Sequence, residues 1–92
     1  MKINFNRTKI AAVPANRPIL YQMCTAAGKP NYIGVAKRGR ARQRLCEHLP
    51  CGLSPIPAKT VRIKQFSSIA EAKAAEERAI RSKRPKYNII HK

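Results

Sequence analysis

The chain has 92 residues, with 20 Lys and Arg against 4 acidic side chains, so its formal net charge is +16. Asp is absent and the only carboxylates are Glu47, Glu71, Glu76 and Glu77, which excludes aspartic dyads, Ser-His-Asp triads and multi-carboxylate two-metal centres. Apolar residues make up 43% of the chain but 13 of them are Ala, so the core is thin and a functional site should be shallow.

Residues 1–18 read as a basic N-terminal arm, with a short edge strand over Lys2–Phe5, and 19–92 as a single domain. Ile19–Cys24 and Asn31–Ala36 read as strands joined by a turn carrying Gly28 and Pro30, an antiparallel hairpin. A basic loop, Lys37–Arg40, leads into a helix over Ala41–Leu49 that Pro50 stops. Val61–Phe66 alternates apolar and basic residues as a third strand does. Ser68 and Glu71 form a capping box that opens a helix over Ile69–Lys83, ended by Pro85. Tyr87–Ile90 is expected as a last extended stretch. The fold class is α+β: a small antiparallel sheet of three strands, with room for extra edge strands, flanked by helices.

The pI near 10.8 points to a polyanionic partner, bound strongly at low salt and with little sequence discrimination. No run reaches the roughly 18 apolar residues of a membrane span, and MKINFNRTKI lacks a signal-peptide stretch. The expectation is a cytoplasmic domain with no membrane partner. Three cysteines, Cys24, Cys46 and Cys51, argue against a disulfide framework. Cys46, His48 and Cys51 lie close in sequence, but zinc would need a fourth ligand from Cys24 or His91, and ordinary thiols are the better reading.

One carboxylate stands out. Glu76 sits in the apolar stripe formed by Ile69, Ala72, Ala79 and Ile80, with Ala72 and Ile80 each about 40° from it around the helix axis. A carboxylate there costs several kcal/mol in order of magnitude unless a cation or hydrogen bonds compensate. It either pairs with an arginine or binds a metal. Tyr21 and Tyr32 lie on the two hairpin strands, where cross-strand packing is the ordinary reading. Gly34 leaves the strand end open for a phosphate to approach the backbone.

With Ile19-Leu20-Tyr21, Tyr32-Ile33-Gly34, Arg44 through His48, Glu76 and Pro85-Lys86-Tyr87-Asn88 in order, the chain resembles the GIY-YIG nuclease superfamily over about residues 19–90. Its C-terminal part looks especially like the nuclease domain of the bacterial excision-repair incision subunit. The first motif departs from the family pattern, with Ile19 in place of Gly. The usual distance from the YIG glycine falls on Arg42, whereas the Arg-x-x-x-His pattern selects Arg44 with His48, which share a helix face.

The resemblance implies an endonuclease hydrolysing nucleic acid, DNA ahead of RNA, with one divalent metal. Magnesium is implied, with manganese able to substitute. Glu76 would hold the metal, and Arg44 would contact the scissile phosphate. Tyr21 would orient or deprotonate water beside Tyr32, with His48 as proton relay and Asn88 in support. A base role requires nearby positive charge to lower the phenol from its usual value of about 10. Gly34, Lys37, Arg38, Arg40, Arg42 and Lys86 would contact nucleic acid. A homodimer or a targeting protein partner fits a domain without a recognition module. The competing reading is a non-catalytic basic nucleic-acid-binding module or assembly component that keeps the fold.

Overall fold

A computed structural model describes residues 1–90. Its elements are β1 (Lys2–Asn4), α1 (Arg7–Ile10), β2 (Ile19–Cys24), β3 (Pro30–Ala36), α2 (Ala41–Glu47), β4 (Thr60–Gln65), α3 (Ile69–Lys83) and α4 (Lys86–Ile90). The four strands form one antiparallel sheet in the order β1-β4-β2-β3. The expected α+β architecture is present, with the extra edge strand supplied by β1. No helix among the described residues is long and apolar enough to cross a membrane.

Alternation along the strands divides the sheet into two faces. Ile19, Tyr21 and Met23 of β2, with Val61 and Ile63 of β4, pack against Leu45 and Leu49 at the α2 end of the domain. The basic N-terminal segment contributes to this same core. Asn6 caps α1 by accepting from the Lys9 amide at 2.9 Å, and the buried Ile10 and Val13 follow. This helix is absent from the expected basic arm because four residues carry too little periodicity to show in a sequence.

On the opposite face, α3 lies over β2 and β3 with Ala72 fully buried. Its N-terminus has the first half of the expected capping box, the Ser68 hydroxyl accepting from the Glu71 amide, while the Glu71 carboxylate accepts from the hydroxyls of Ser67 and Ser68 and not from the Ser68 amide. The helix ends at Arg84, which takes the left-handed conformation (φ 45°) while its amide bonds back to the Ile80 carbonyl.

The expected extended stretch at Tyr87–Ile90 is instead helical, as part of α4. Pro85 is buried at the start of this turn, where a missing amide hydrogen costs nothing. The outer strand β3 has no further strand to pair with there. The Asn88 side chain serves it instead, accepting from the Ile33 amide at 2.7 Å and donating to the Ile33 carbonyl at 2.8 Å. Helix α2 also stops two residues before the expected Leu49. The carbonyls of Glu47 and His48 accept from the amides of Ser54 and Ile56, so the chain beyond α2 folds back onto its end.

Candidate functional site

The sheet register places Tyr21 directly opposite Gly34. A Cβ on Gly34 would stand 2.6 Å from the Tyr21 Oη and 2.7 Å from its Cζ. Gly34 is buried, and the space beside its α-carbon is occupied by the phenol, so the glycine seats Tyr21 rather than leaving an opening for phosphate. Gly34→Ala should displace the Tyr21 ring and cost about 1–3 kcal/mol of stability, as overpacking does. Chemical denaturation would measure this, and an unchanged midpoint would mean that the ring yields freely.

Tyr21 is fully buried, and its hydroxyl lies 2.9 Å from the His48 Nε2. On the other side of the imidazole, Nδ1 is 2.8 Å from the Ser54 carbonyl. A carbonyl only accepts, so Nδ1 carries the hydrogen and the neutral ring presents Nε2 as acceptor for the Tyr21 hydroxyl. Tyr32 completes the group, its ring centroid 5.0 Å from His48 and 6.2 Å from Tyr21. Two phenols and an imidazole therefore form one cluster, held by β2, β3 and the C-terminal end of α2.

The Arg44 guanidinium, from the middle of α2, interacts with Tyr21 and Tyr32, and the phenols hold its proton more tightly. Its Nε is the one buried side-chain polar atom among the described residues without a hydrogen-bond partner. Arg42 is turned elsewhere: it is exposed, and its Nε donates to the Val13 carbonyl at 2.8 Å. The two candidate arginines are thus separated by geometry, Arg44 beside the tyrosines and Arg42 tying α2 to the segment after α1.

Glu76 is half-buried on α3. Among the described residues the ion pair present is that of Arg81 with Glu77, at 3.2 Å on the exposed side of the helix, and Glu76 takes part in none. Burial pushes the Glu76 carboxyl above the usual carboxylate range, with Lys73 and Arg44 drawing it partly back. Its charge is felt at both phenols and at the guanidinium. Tyr21 also stands well above a free phenol, first through burial and then through Tyr32, and Arg44 offsets this only in part. The lowering that a standing phenolate base would need is therefore absent, because desolvation outweighs the nearby cation.

Around these groups the surface is a shallow trough. One part, about 310 Å³, is lined by Lys37, Arg40, Arg44, Ile69 and Lys73 together with the end of β3. An adjoining depression contains Lys73 and Glu76. Lys37 and Arg40 are exposed at this rim, and Arg38 is exposed in the loop between them. Lys86 is exposed on α4, its ammonium 5.7 Å from the Tyr87 ring centroid. Asn88 does not enter the cluster directly. It clamps the peptide of Ile33 between Tyr32 and Gly34, a role that no spacing in the sequence announces.

The donor set decides what metal these residues suit. No three His, Cys or carboxylate side chains gather among the described residues. The zinc grouping is not assembled: both ring nitrogens of His48 already face Tyr21 and Ser54, and His91 lies outside the described residues. A lone, partly desolvated carboxylate without an ion pair fits a hard cation that keeps most of its water and takes the rest of its ligands from phosphate.

A four-strand antiparallel sheet flanked by helices in this order is the architecture of a GIY-YIG nuclease domain, and the chain belongs to this family. Ile19, at the glycine position of the first motif, is fully buried in the core. No protein-family model and no curated protein matches the chain. Among solved structures it is similar to the GIY-YIG N-terminal endonuclease domain of UvrC from Thermotoga maritima. A point variant of that domain bound to its catalytic divalent cation is 30% identical, with 88% of this chain and 91% of that one covered at a TM-score of 0.68. The same domain bound to magnesium is 28% identical, with 88% and 92% covered at a TM-score of 0.67.

Proposed function

We propose that this protein is a divalent-metal-dependent endonuclease that hydrolyses phosphodiester bonds in DNA. The observation that carries the reading is the half-buried Glu76, without an ion pair among the described residues and electrostatically coupled to Tyr21, Tyr32 and Arg44. Glu76 would hold magnesium, with manganese as a substitute. When bound, the cation supplies positive charge to the phosphate oxygens as the displacement proceeds.

The chain's own groups do the rest. Arg44 meets the scissile phosphate and offsets the charge that grows on it. The Tyr21 hydroxyl, its proton directed at His48 Nε2, offers its oxygen to the attacking water. As that water gives up a proton to Tyr21 and bonds to phosphorus, the phenol proton moves to His48, and the Ser54 carbonyl accepts from Nδ1 of the resulting imidazolium. The P–O bond to the leaving sugar oxygen breaks, and that oxygen takes a proton from solvent. This relay suits a phenol whose burial disfavours a standing phenolate. Tyr32 walls the cluster, and Asn88 holds its strand in place. Lys37, Arg38, Arg40 and Lys86 offer charge to the flanking phosphates, as exposed Arg42 does from its own side of α2. Any targeting partner or second copy would act by presenting the substrate.

The test is nicking of supercoiled plasmid with magnesium, with manganese and with EDTA, comparing the wild type with Arg44→Ala and Arg42→Ala. Metal-dependent nicking should fall by on the order of 10²–10³-fold in Arg44→Ala, with Arg42→Ala close to wild type. Binding of DNA without nicking under any metal condition would overturn the reading in favour of a non-catalytic module. A severe Arg42→Ala defect with an active Arg44→Ala would overturn the assignment of the arginine.

A further inference from the structure

Helices cover only half of the outer sheet face. On that face α3 lies over β2 and β3, and Lys83 near its end donates to the Gln22 side chain at 3.1 Å. Beyond Gln22 the face continues uncovered across β4 and β1. The register aligns Gln22, Arg62 and Lys2 in one row, and Lys64 stands opposite Leu20 in the next. Lys2, Arg62 and Lys64 are all exposed, while Val61 and Ile63 between them turn into the core. A groove of about 340 Å³ runs among Lys2, Leu20, Gln22, Arg62 and Lys64.

This arrangement works against the fold's own stability. Lys2 sits directly across from Arg62, and like charges placed opposite each other in a sheet are destabilising. Among the described residues the ion pair present is Arg81 with Glu77, so no carboxylate there pairs with Lys2, Arg62 or Lys64. Protection of a sheet edge would account for a lysine on β1, the outer strand. It does not account for Arg62 and Lys64, which are on β4, an inner strand. The cleavage trough lies toward the opposite edge of the sheet, between the end of β3, α2 and α3.

We infer that this uncovered half-sheet is a second binding surface for the phosphate backbone of nucleic acid, separate from the cleavage trough. The inference rests on the nuclease reading for the identity of its ligand. Cations over a floor that carries no carboxylate complement a phosphate chain, with Arg62 and Lys64 placed two residues apart on one strand. Contact there releases counterions without reading sequence, so its signature is the salt dependence of binding.

The test is duplex DNA binding by fluorescence anisotropy in EDTA, across a salt series, which is independent of cleavage. The variant is the triple Lys2→Gln, Arg62→Gln, Lys64→Gln. The control is Lys9→Gln, Arg17→Gln, Lys29→Gln, which removes the same charge from exposed residues elsewhere. The half-sheet variant should weaken binding on the order of tenfold and lower the log–log salt slope by about 2–3, as loss of three phosphate contacts requires. The control should lower the slope by less than about 1. The single reversal Lys64→Glu should weaken binding in the same direction. Equal effects of the two triple variants, or no effect of the half-sheet variant, would overturn the inference. Nicking activity reports on the nuclease reading alone, so the two can fail separately.

Discussion

Glu76→Gln should lose metal-dependent cleavage by at least about 10³-fold while remaining folded. The amide preserves the shape of the side chain on α3 but removes the charge a cation needs. Stability should move the other way. Burial raises the folded carboxyl above its unfolded value, so the ionised group is the disfavoured form in the native protein. Its contribution therefore favours folding at low pH and is lost as pH rises from the unfolded value through the raised one. Glu76→Gln should abolish that segment of the pH–stability curve and be as stable as the wild type or more so at neutral pH. Denaturant titrations across pH read the stability change, and plasmid nicking reads the activity. The same raised carboxyl makes cation affinity fall on the acid side sooner than for an ordinary glutamate. A variant that cuts normally would remove Glu76 from metal binding.

Tyr21→Phe is the second large effect, and its two consequences separate cleanly. The ring remains packed over Gly34, so the core keeps its volume. The hydroxyl facing His48 Nε2 is gone, which costs about 1–3 kcal/mol as loss of a buried hydrogen-bond partner does. Cleavage should fall by about 10²–10⁴-fold, the range for removal of a positioned proton carrier. DNA affinity in EDTA should hardly change, because the phenol faces an imidazole and not the exposed basic rim. Wild-type turnover in this variant would mean that the attacking water loses its proton without Tyr21. A matching loss of affinity would mean that Tyr21 binds substrate and does not handle protons.

Much of this was legible in the residues, and the reasons differ from place to place. Helix α3 is found from Ile69 to Lys83 as expected because Ser68, Glu71 and Pro85 mark its ends locally. The hairpin of β2 and β3 follows from alternation and a turn with Gly28 at φ 85°. The departure of Glu76 from its apolar stripe was visible because a helix has a fixed period. The arginine question was open by motif spacing. The i, i+4 relation of Arg44 to His48 puts the two on one helix face, and both lie beside Tyr21. What escaped depends on contacts far apart in sequence. The Ser54 carbonyl orients His48 across a loop, Asn88 reaches Ile33 over 55 positions, and α4 is a helix because of where the sheet ends. The phenol's weakened acidity escaped too, since chain-wide positive charge suggests a stronger acid, whereas burial, with Tyr32 beside it, makes it a weaker one.

The two-point grip of the Asn88 amide on the Ile33 peptide has a consequence beyond the reaction. That peptide belongs to the outermost strand, and α4 covers it through this pair of bonds together with the packing of Tyr87 against the core. If the last turn frays, a stretch of backbone through Tyr32 and Gly34 becomes a template onto which another molecule's extended segment can add. Because the same small amide steadies the tyrosine strand and covers this edge of the sheet, loss of activity and loss of solubility should arrive together when it is lost.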